Sequence, residues 1–201
     1  MKKSSGMTLI EMIIAIVLMG IAMVAFTSFL VPQLRDSATS HYQTRAAALS
    51  QSFMSQILAR GFDENSDLAG GEIRCGEGLV GSKQETCTVS GSLGAEEGSI
   101  ASFDDVDDYF DDVDDYIGCW YTEGTESSCA EKYSGKHYQL KNILGNAMQS
   151  DYENFRVEVD VNYVEENGSA STDISDYKRV TLTIYAGRTQ SLKLTAIKGN
   201  Y

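Results

Sequence analysis

Basic side chains are scarce in this chain. Its 201 residues include 16 lysines and arginines against 29 aspartates and glutamates, which gives a formal net charge of −13. Proteins that bind nucleic acids broadly use clustered Lys and Arg side chains to neutralise phosphates. The composition therefore predicts no nucleic-acid partner.

Histidine is also rare, with two residues. The sequence contains no glycine-rich phosphate loop after a strand, no Gly-x-Ser-x-Gly motif and no Cys–His pair in a suitable context. The cysteines show neither the Cys-x-x-Cys spacing nor the nearby histidines of a zinc site. We expect no enzyme activity, no catalytic residues, and no bound metal or cofactor.

Charge is nearly absent between Met7 and Val31, where a single carboxylate interrupts an apolar run. The run exceeds the roughly 20 residues that a transmembrane helix needs. It is too long for the apolar core of a secretory signal peptide and shows no clear cleavage box. Lys2 and Lys3 precede it and predict a cytoplasmic N-terminus. We expect a single-pass inner-membrane helix, with everything after Pro32 on the outer side.

The carboxylate inside the run is Glu11. An ionised carboxylate within a spanning helix costs roughly 2.5–3.5 kcal/mol on insertion scales. One interpretation is that Glu11 lies near the membrane surface and reaches water. The other is that it pairs with a cation in an assembly. A cut after Gly6 would create an α-amine four residues before Glu11, and that amine on a neighbouring subunit could neutralise it.

The segment Gly6-Met7-Thr8-Leu9-Ile10-Glu11 follows a basic leader and opens the apolar run. It resembles the N-terminus of type IV prepilins and pseudopilins, whose pattern is Gly, usually Phe, then Thr-Leu-Ile-Glu; Met7 replaces the usual Phe. The resemblance implies that a prepilin peptidase cleaves after Gly6 and methylates Met7. It also implies that Glu11 acts in assembly with other pilin subunits, first in the inner membrane and then in an extracellular helical fibre.

A second resemblance covers residues 46–52 and 57–66 and the Phe-Asp-Asp-Val-Asp-Asp-Tyr stretch. These segments are similar to minor pilins of the mannose-sensitive haemagglutinin (MSHA) pilus. The resemblance implies a structural subunit of a fimbrium that acts in fibre assembly and cell adhesion. Two other hypotheses stay open. One is a pseudopilin of a type II secretion system; the other is a membrane-anchored periplasmic cation-binding module that never polymerises.

The four cysteines are Cys75, Cys87, Cys119 and Cys129. Their even number and the predicted location outside the cytoplasm indicate disulfide bonds, and four cysteines allow three pairings. Local pairing, Cys75 with Cys87 and Cys119 with Cys129, closes two short loops worth about 3 kcal/mol each in the chain-entropy model. We favour it over the crossed and nested pairings, which stay open.

A helical pattern continues beyond the apolar run, through Pro32, and Gly61 is a plausible residue to end it. Apolar and long side chains recur every three or four residues, which predicts one stripe that packs on a soluble domain. The stripe comprises Leu34, Ala38, Tyr42, Arg45, Leu49, Phe53 and Ile57.

Residues 103–116 contain an identical tandem repeat, Phe-Asp-Asp-Val-Asp-Asp-Tyr. Its apolar residues recur at helical spacing, which favours a short amphipathic segment with a solvated acidic face. Clustered oxygens could instead hold Ca²⁺, although the repeat has no EF-hand spacing. A third interpretation is an acidic docking patch for a basic partner.

The C-terminal third alternates apolar and polar residues over 155–163, 180–185 and 192–196, which predicts an antiparallel meander with one buried face. We therefore expect an α+β, pilin-like fold in which a long N-terminal helix packs on an antiparallel β-sheet. The expected divisions are residues 1–6 as leader, 7–31 as membrane or fibre-core half-helix, 32–61 as amphipathic half-helix, and 62–201 as a globular domain.

Overall fold

The computed structural model describes residues 6, 8–66, 74–77, 79–80, 83–84, 86–95, 111–141, 147–148 and 151–201. The chain divides into two compact units, Met1–His41 and Tyr42–Tyr201. We call the second unit, residues 42–201, the head.

One helix, α1, extends from Leu9 to Leu58 and continues through Pro32, as predicted. Its segment Leu9–Gln33 has a mean hydropathy of 2.7, and none of it is buried. By length and composition this 25-residue segment is apolar enough to cross a membrane. Exposed apolar side chains of this extent favour a lipid or protein environment over water.

The last five turns of α1 belong to the head and carry the predicted stripe. Ala46, Leu49, Phe53 and Ile57 are buried at helical spacing, which confirms this part of the stripe. Arg45 lies over the ring of Tyr152 instead, with 5.0 Å from its guanidinium carbon to the ring centroid. The side chains of two predicted members nearer the N-terminus, Leu34 and Ala38, lie outside the described residues.

The head contains a five-stranded sheet with the strand order β4-β3-β5-β6-β7. Strands β3 and β4 pair in parallel, and every other pair in this sheet is antiparallel. The sheet is therefore mixed, because the short β4 returns beside β3 in the same direction. A separate two-stranded hairpin precedes it. The strands are β1 Leu79–Val80, β2 Lys83–Gln84, β3 Gly118–Tyr121, β4 His137–Gln139, β5 Phe155–Tyr163, β6 Tyr177–Ala186 and β7 Leu192–Gly199.

The hydrophobic core forms between α1 and one face of the sheet. Alternate residues of β5 face the helix, and so do those of β6, because side chains in a strand point to opposite faces in turn. Phe53 packs edge-on against Trp120, with ring centroids 5.2 Å apart. The buried members from the two central strands are Phe155, Val157, Val159, Val161, Val180, Leu182, Ile184 and Ala186. The predicted fold class, a long helix with an α+β head, is confirmed.

Two disulfides close loops of the head, Cys75–Cys87 and Cys119–Cys129. This is the local pairing that the sequence favoured over the crossed and nested pairings. Residues 86–89 lie in an irregular loop rather than in a strand. The backbone N–H of Thr88 donates instead to the Asp63 carboxylate, at 2.9 Å to Oδ2.

Candidate functional site

The N-terminal motif begins α1 with a reciprocal pair of hydrogen bonds. The Thr8 N–H donates to Glu11 Oε2, and the Glu11 N–H donates to Thr8 Oγ1, each at 3.4 Å. This is the geometry of a capping box, which satisfies two of the free N–H groups at a helix start. Gly6 is exposed, and Met7, the predicted methylation site, lies outside the described residues.

The Glu11 carboxylate lies on an exposed apolar helix segment. Ile10 and Met12, its neighbours in the chain, are both more than half exposed. No ion pair of Glu11 occurs among the residues that the structure describes. Among the described residues the carboxylate is stabilised by its own helix N-terminus, and it is exposed and so accessible to a cation.

A second group of functional side chains lies inside the head and is centred on Lys178. In the β5–β6 register Lys178 is opposite Tyr163, on the same face as Val180. That face is the core face, so the lysine is fully buried. Sequence reasoning missed this residue, although its position two residues before Val180, in phase with the buried alternation, was a usable signal.

Three acceptors surround the Lys178 ammonium. Its Nζ donates to the Phe62 carbonyl oxygen at 2.7 Å, to Asp63 Oδ2 at 2.9 Å, and to Asp114 Oδ1. The side chains of Lys178, Asp63 and Asp114 are all inaccessible to solvent. An ammonium has three donors, so this set saturates it. Such a group retains its charge in the core because each donor has a partner.

The aspartates of the second repeat copy fold into this site. Asp112 Oδ1 accepts hydrogen bonds from the N–H groups of Asp114 and Asp115, at 2.7 and 3.2 Å. Asp115 Oδ2 in turn accepts from the N–H groups of Asp111 and Asp112, each at 3.1 Å. We call Asp63, Asp112, Asp114, Asp115 and Lys178 the acid–lysine cluster.

The prediction of a solvated acidic face is wrong for this copy. Asp112, Asp114 and Asp115 are buried, and residues 111–117 form turns rather than a helix. Aspartate side chains bond nearby backbone N–H groups and so compete with helix formation. The first copy of the repeat and Phe110 lie outside the described residues.

Burial and charge shift the titration of the cluster in opposite directions. Burial raises the pKa of Asp112 to about 9, and the carboxylates of Asp114 and Asp115 add to the rise. Burial alone would raise the pKa of Asp63, but the Lys178 ammonium and two backbone N–H groups lower it overall. Burial alone would lower the pKa of Lys178, but the surrounding carboxylates raise it.

The cluster also has the ligand spacing of a metal site. One oxygen each from Asp63, Asp112 and Asp114 lies within 4.8 Å of the others. Lys178 Nζ already contacts two of these carboxylates and supplies a positive charge there. Cys75 and Cys87 also lie near Asp63, but they form a disulfide and offer no thiolate. The residues described therefore favour an internal cation, the lysine, over a bound metal.

The comparison with known families concerns the N-terminal segment. Residues 1–27 match the family model of the prokaryotic N-terminal methylation motif. No curated protein and no solved structure matches the chain. Together with the long apolar helix and the α+β head, the motif supports a membrane-anchored protein of the type IV pilin and pseudopilin family. The motif points to a structural subunit rather than an enzyme, and it implies processing by prepilin peptidase and assembly with other pilins.

Proposed function

We propose that this chain is a minor pilin of the MSHA type, similar to the minor pilin MshD. It is a structural subunit that acts in fibre assembly and surface adhesion. The observation that carries the proposal is the methylation motif at the start of an apolar helix segment, Leu9–Gln33, of which no residue is buried. Residues 1–6 are the leader, 7–31 the membrane or fibre-core half-helix, 32–61 the amphipathic half-helix and 62–201 the globular domain.

The proposed path begins in the inner membrane, with the N-terminus in the cytoplasm. Lipid covers the segment Leu9–Gln33 at this stage. Prepilin peptidase cleaves after Gly6 and methylates Met7. The same helix segments of several subunits then cover one another in an extracellular fibre, since the exposed apolar surface is unfavourable in water.

Glu11 fixes the axial position of the subunit in this proposal. The methylated amine of a neighbouring subunit pairs with the Glu11 carboxylate and offsets its cost in an apolar medium. The capping bonds at 3.4 Å are long for N–H donors, so the carboxylate can exchange them for a cation.

Replacement of Glu11 tests this role. We expect Glu11→Ala to remain in the membrane but to be absent from sheared fibres, because it removes the charge that pairs with the amine. Glu11→Asp, which keeps a carboxylate, is the matched control and should retain partial incorporation. The readout is the subunit content of sheared fibres relative to membranes, and normal incorporation of Glu11→Ala refutes the role.

The intact mass of the protein from its native membrane tests the processing step. We expect a chain that begins at Met7 and carries one additional methyl group. A chain that retains residues 1–6 contradicts the proposal and favours a membrane-anchored module that does not polymerise. The second candidate, a type II secretion pseudopilin, has the same motif and predicts the same mass. Cross-linking to secretion components rather than to pilus subunits would favour it.

A further inference from the structure

The acid–lysine cluster contains more acidic groups than cations. Lys178 is its only basic residue, and Asp63 and Asp114 already pair with it. Asp112 is fully buried as well, and its Oδ2 atom accepts no hydrogen bond from any residue described. A buried carboxylate oxygen that is ionised and unpartnered is strongly unfavourable. A proton on that oxygen removes the charge.

We propose that the folded head holds one proton on Asp112 at neutral pH, and that this proton keeps the turn 111–116 closed on β6. The head is then a proton switch whose stability falls as the pH rises. The proposal rests on the geometry of the cluster and is independent of the proposed function.

The closed turn connects several separate parts of the head. Gly61 forms a bridge to Asp112, and its N–H donates to Asp111 O at 2.8 Å. The Gly94 N–H donates to Asp114 Oδ2 at 3.1 Å, and Asp114 binds Lys178 of β6. Ionisation of Asp112 places a further buried negative charge beside Asp114 and Asp115, so it destabilises the closed turn.

The direction of the pH effect follows from proton linkage. The pKa of Asp112 is about 9 in the folded head and near its ordinary value of 3.8 when unfolded. Between these values the folded state binds one more proton than the unfolded state, so stability decreases as the pH rises. One proton changes the unfolding equilibrium constant by about tenfold for each pH unit. The destabilisation should therefore be visible between pH 5 and 8.

The other titratable groups that face Asp112 do not produce a fall in stability between pH 5 and 8. Asp63 has a pKa below its ordinary value of 3.8, so its contribution is lost only in acid. The pKa of Tyr163 is raised by burial and that of Lys178 by the surrounding carboxylates, each above its ordinary value, so both groups change only in alkali. The other neighbouring charges belong to Asp111, Asp114, Asp115 and Arg60, and they are the same in the variant proposed below.

The test is the pH dependence of head unfolding in the full-length chain, held in detergent. Trp120 is the only tryptophan and is buried in the head, so its fluorescence reports head unfolding. For the unchanged chain we expect the unfolding constant to rise about tenfold per pH unit from pH 5 to 8. Asp112→Asn keeps the shape of the side chain and the Oδ1 acceptor but cannot ionise. Its unfolding constant should therefore lack this roughly tenfold rise per pH unit.

Asp173→Asn, at an exposed aspartate, is the matched control and should keep the slope of the unchanged chain. The two histidines are present in every variant, so any contribution from them cancels in the comparison. Equal slopes for the unchanged chain and Asp112→Asn overturn the proposal. So does a loss of stability in Asp112→Asn at pH 8, because it would mean that the ionised carboxylate is the favoured form.

A second measurement keeps the proposal testable if Asp112→Asn does not fold. Denaturation of the unchanged chain in weakly buffered solution at pH 7 should release about one proton from Asp112. Proton uptake or no release under these conditions overturns the proposal, whatever the variant does.

Discussion

Replacement of Lys178 by methionine examines how the core tolerates a buried charge. Methionine is close to lysine in length and removes the ammonium together with its bonds to Phe62, Asp63 and Asp114. Removal of one partner of a buried ion pair costs about 3–5 kcal/mol, because the remaining charge is left uncompensated. We therefore expect the unfolding constant of the head to rise roughly 10²- to 10⁴-fold at pH 7.

The stability that Lys178→Met loses relative to the unchanged chain should decrease as the pH falls. Lys178 lowers the pKa of Asp63 and so stabilises the head above the ordinary aspartate pKa. That contribution is lost as the pH falls, because protonated carboxyl groups no longer need a cation. The stability difference between Lys178→Met and the unchanged chain should therefore narrow in acid.

Lys198→Met is the matched control for this experiment. Lys198 is the cross-strand neighbour of Lys178 and donates to the Leu58 carbonyl oxygen at 3.1 Å. It forms no salt bridge among the described residues, so its loss should cost only about 1–2 kcal/mol. The assay is denaturant unfolding followed by Trp120 fluorescence. Equal losses for the two variants, or a Lys178→Met deficit that does not change with pH, would refute the reasoning.

Two further predictions concern the packing and the covalent structure of the head. Phe53→Ala should destabilise the head by about 3–5 kcal/mol, because it leaves a cavity beside Trp120 and Tyr116; a change below 1 kcal/mol in denaturant unfolding would contradict the described packing. Replacement of Cys119 and Cys129 by serine together should cost about 2–4 kcal/mol, since it opens a loop with a sequence separation of 10. An unchanged thermal midpoint without reductant would contradict this second prediction.

The parts of the fold that were predictable from the sequence are those with local periodicity. Two segments, 155–163 and 180–185, alternate apolar and polar residues, and the helix up to Ile57 repeats apolar residues every three or four positions. Each pattern arises because one face of the element is buried, so it identifies which residues face the core. Strand β4 has only three residues and pairs in parallel with β3. Its pairing depends on the course of the intervening loop rather than on any pattern within the strand.

The acid–lysine cluster shows why the site was harder to predict. The aspartate repeat looks like a solvated surface because eight acidic residues have no cation near them in the chain. The cation that permits the burial of Asp112, Asp114 and Asp115 is Lys178, which lies 64 residues after Asp114. In the sequence Lys178 lies before the predicted strand, since the apolar alternation begins at Val180. Burial of the aspartates is unfavourable without the lysine, and burial of the lysine is unfavourable without the aspartates, so neither can be predicted alone.

The bonds at the end of α1 have a consequence for the order of folding. Lys178 reaches Phe62 across 116 residues, and Lys198 reaches Leu58 across 140 residues. Contacts this distant in sequence form slowly, because a long segment must be closed before they stabilise anything. The meander of β5, β6 and β7 can form from local pairings, but α1 cannot be covered until β5 and β6 are in place, and its bond to Lys198 also waits for β7. Helix α1 is synthesised before the sheet but is therefore among the last elements to be fixed, and its apolar stripe remains uncovered until the sheet follows.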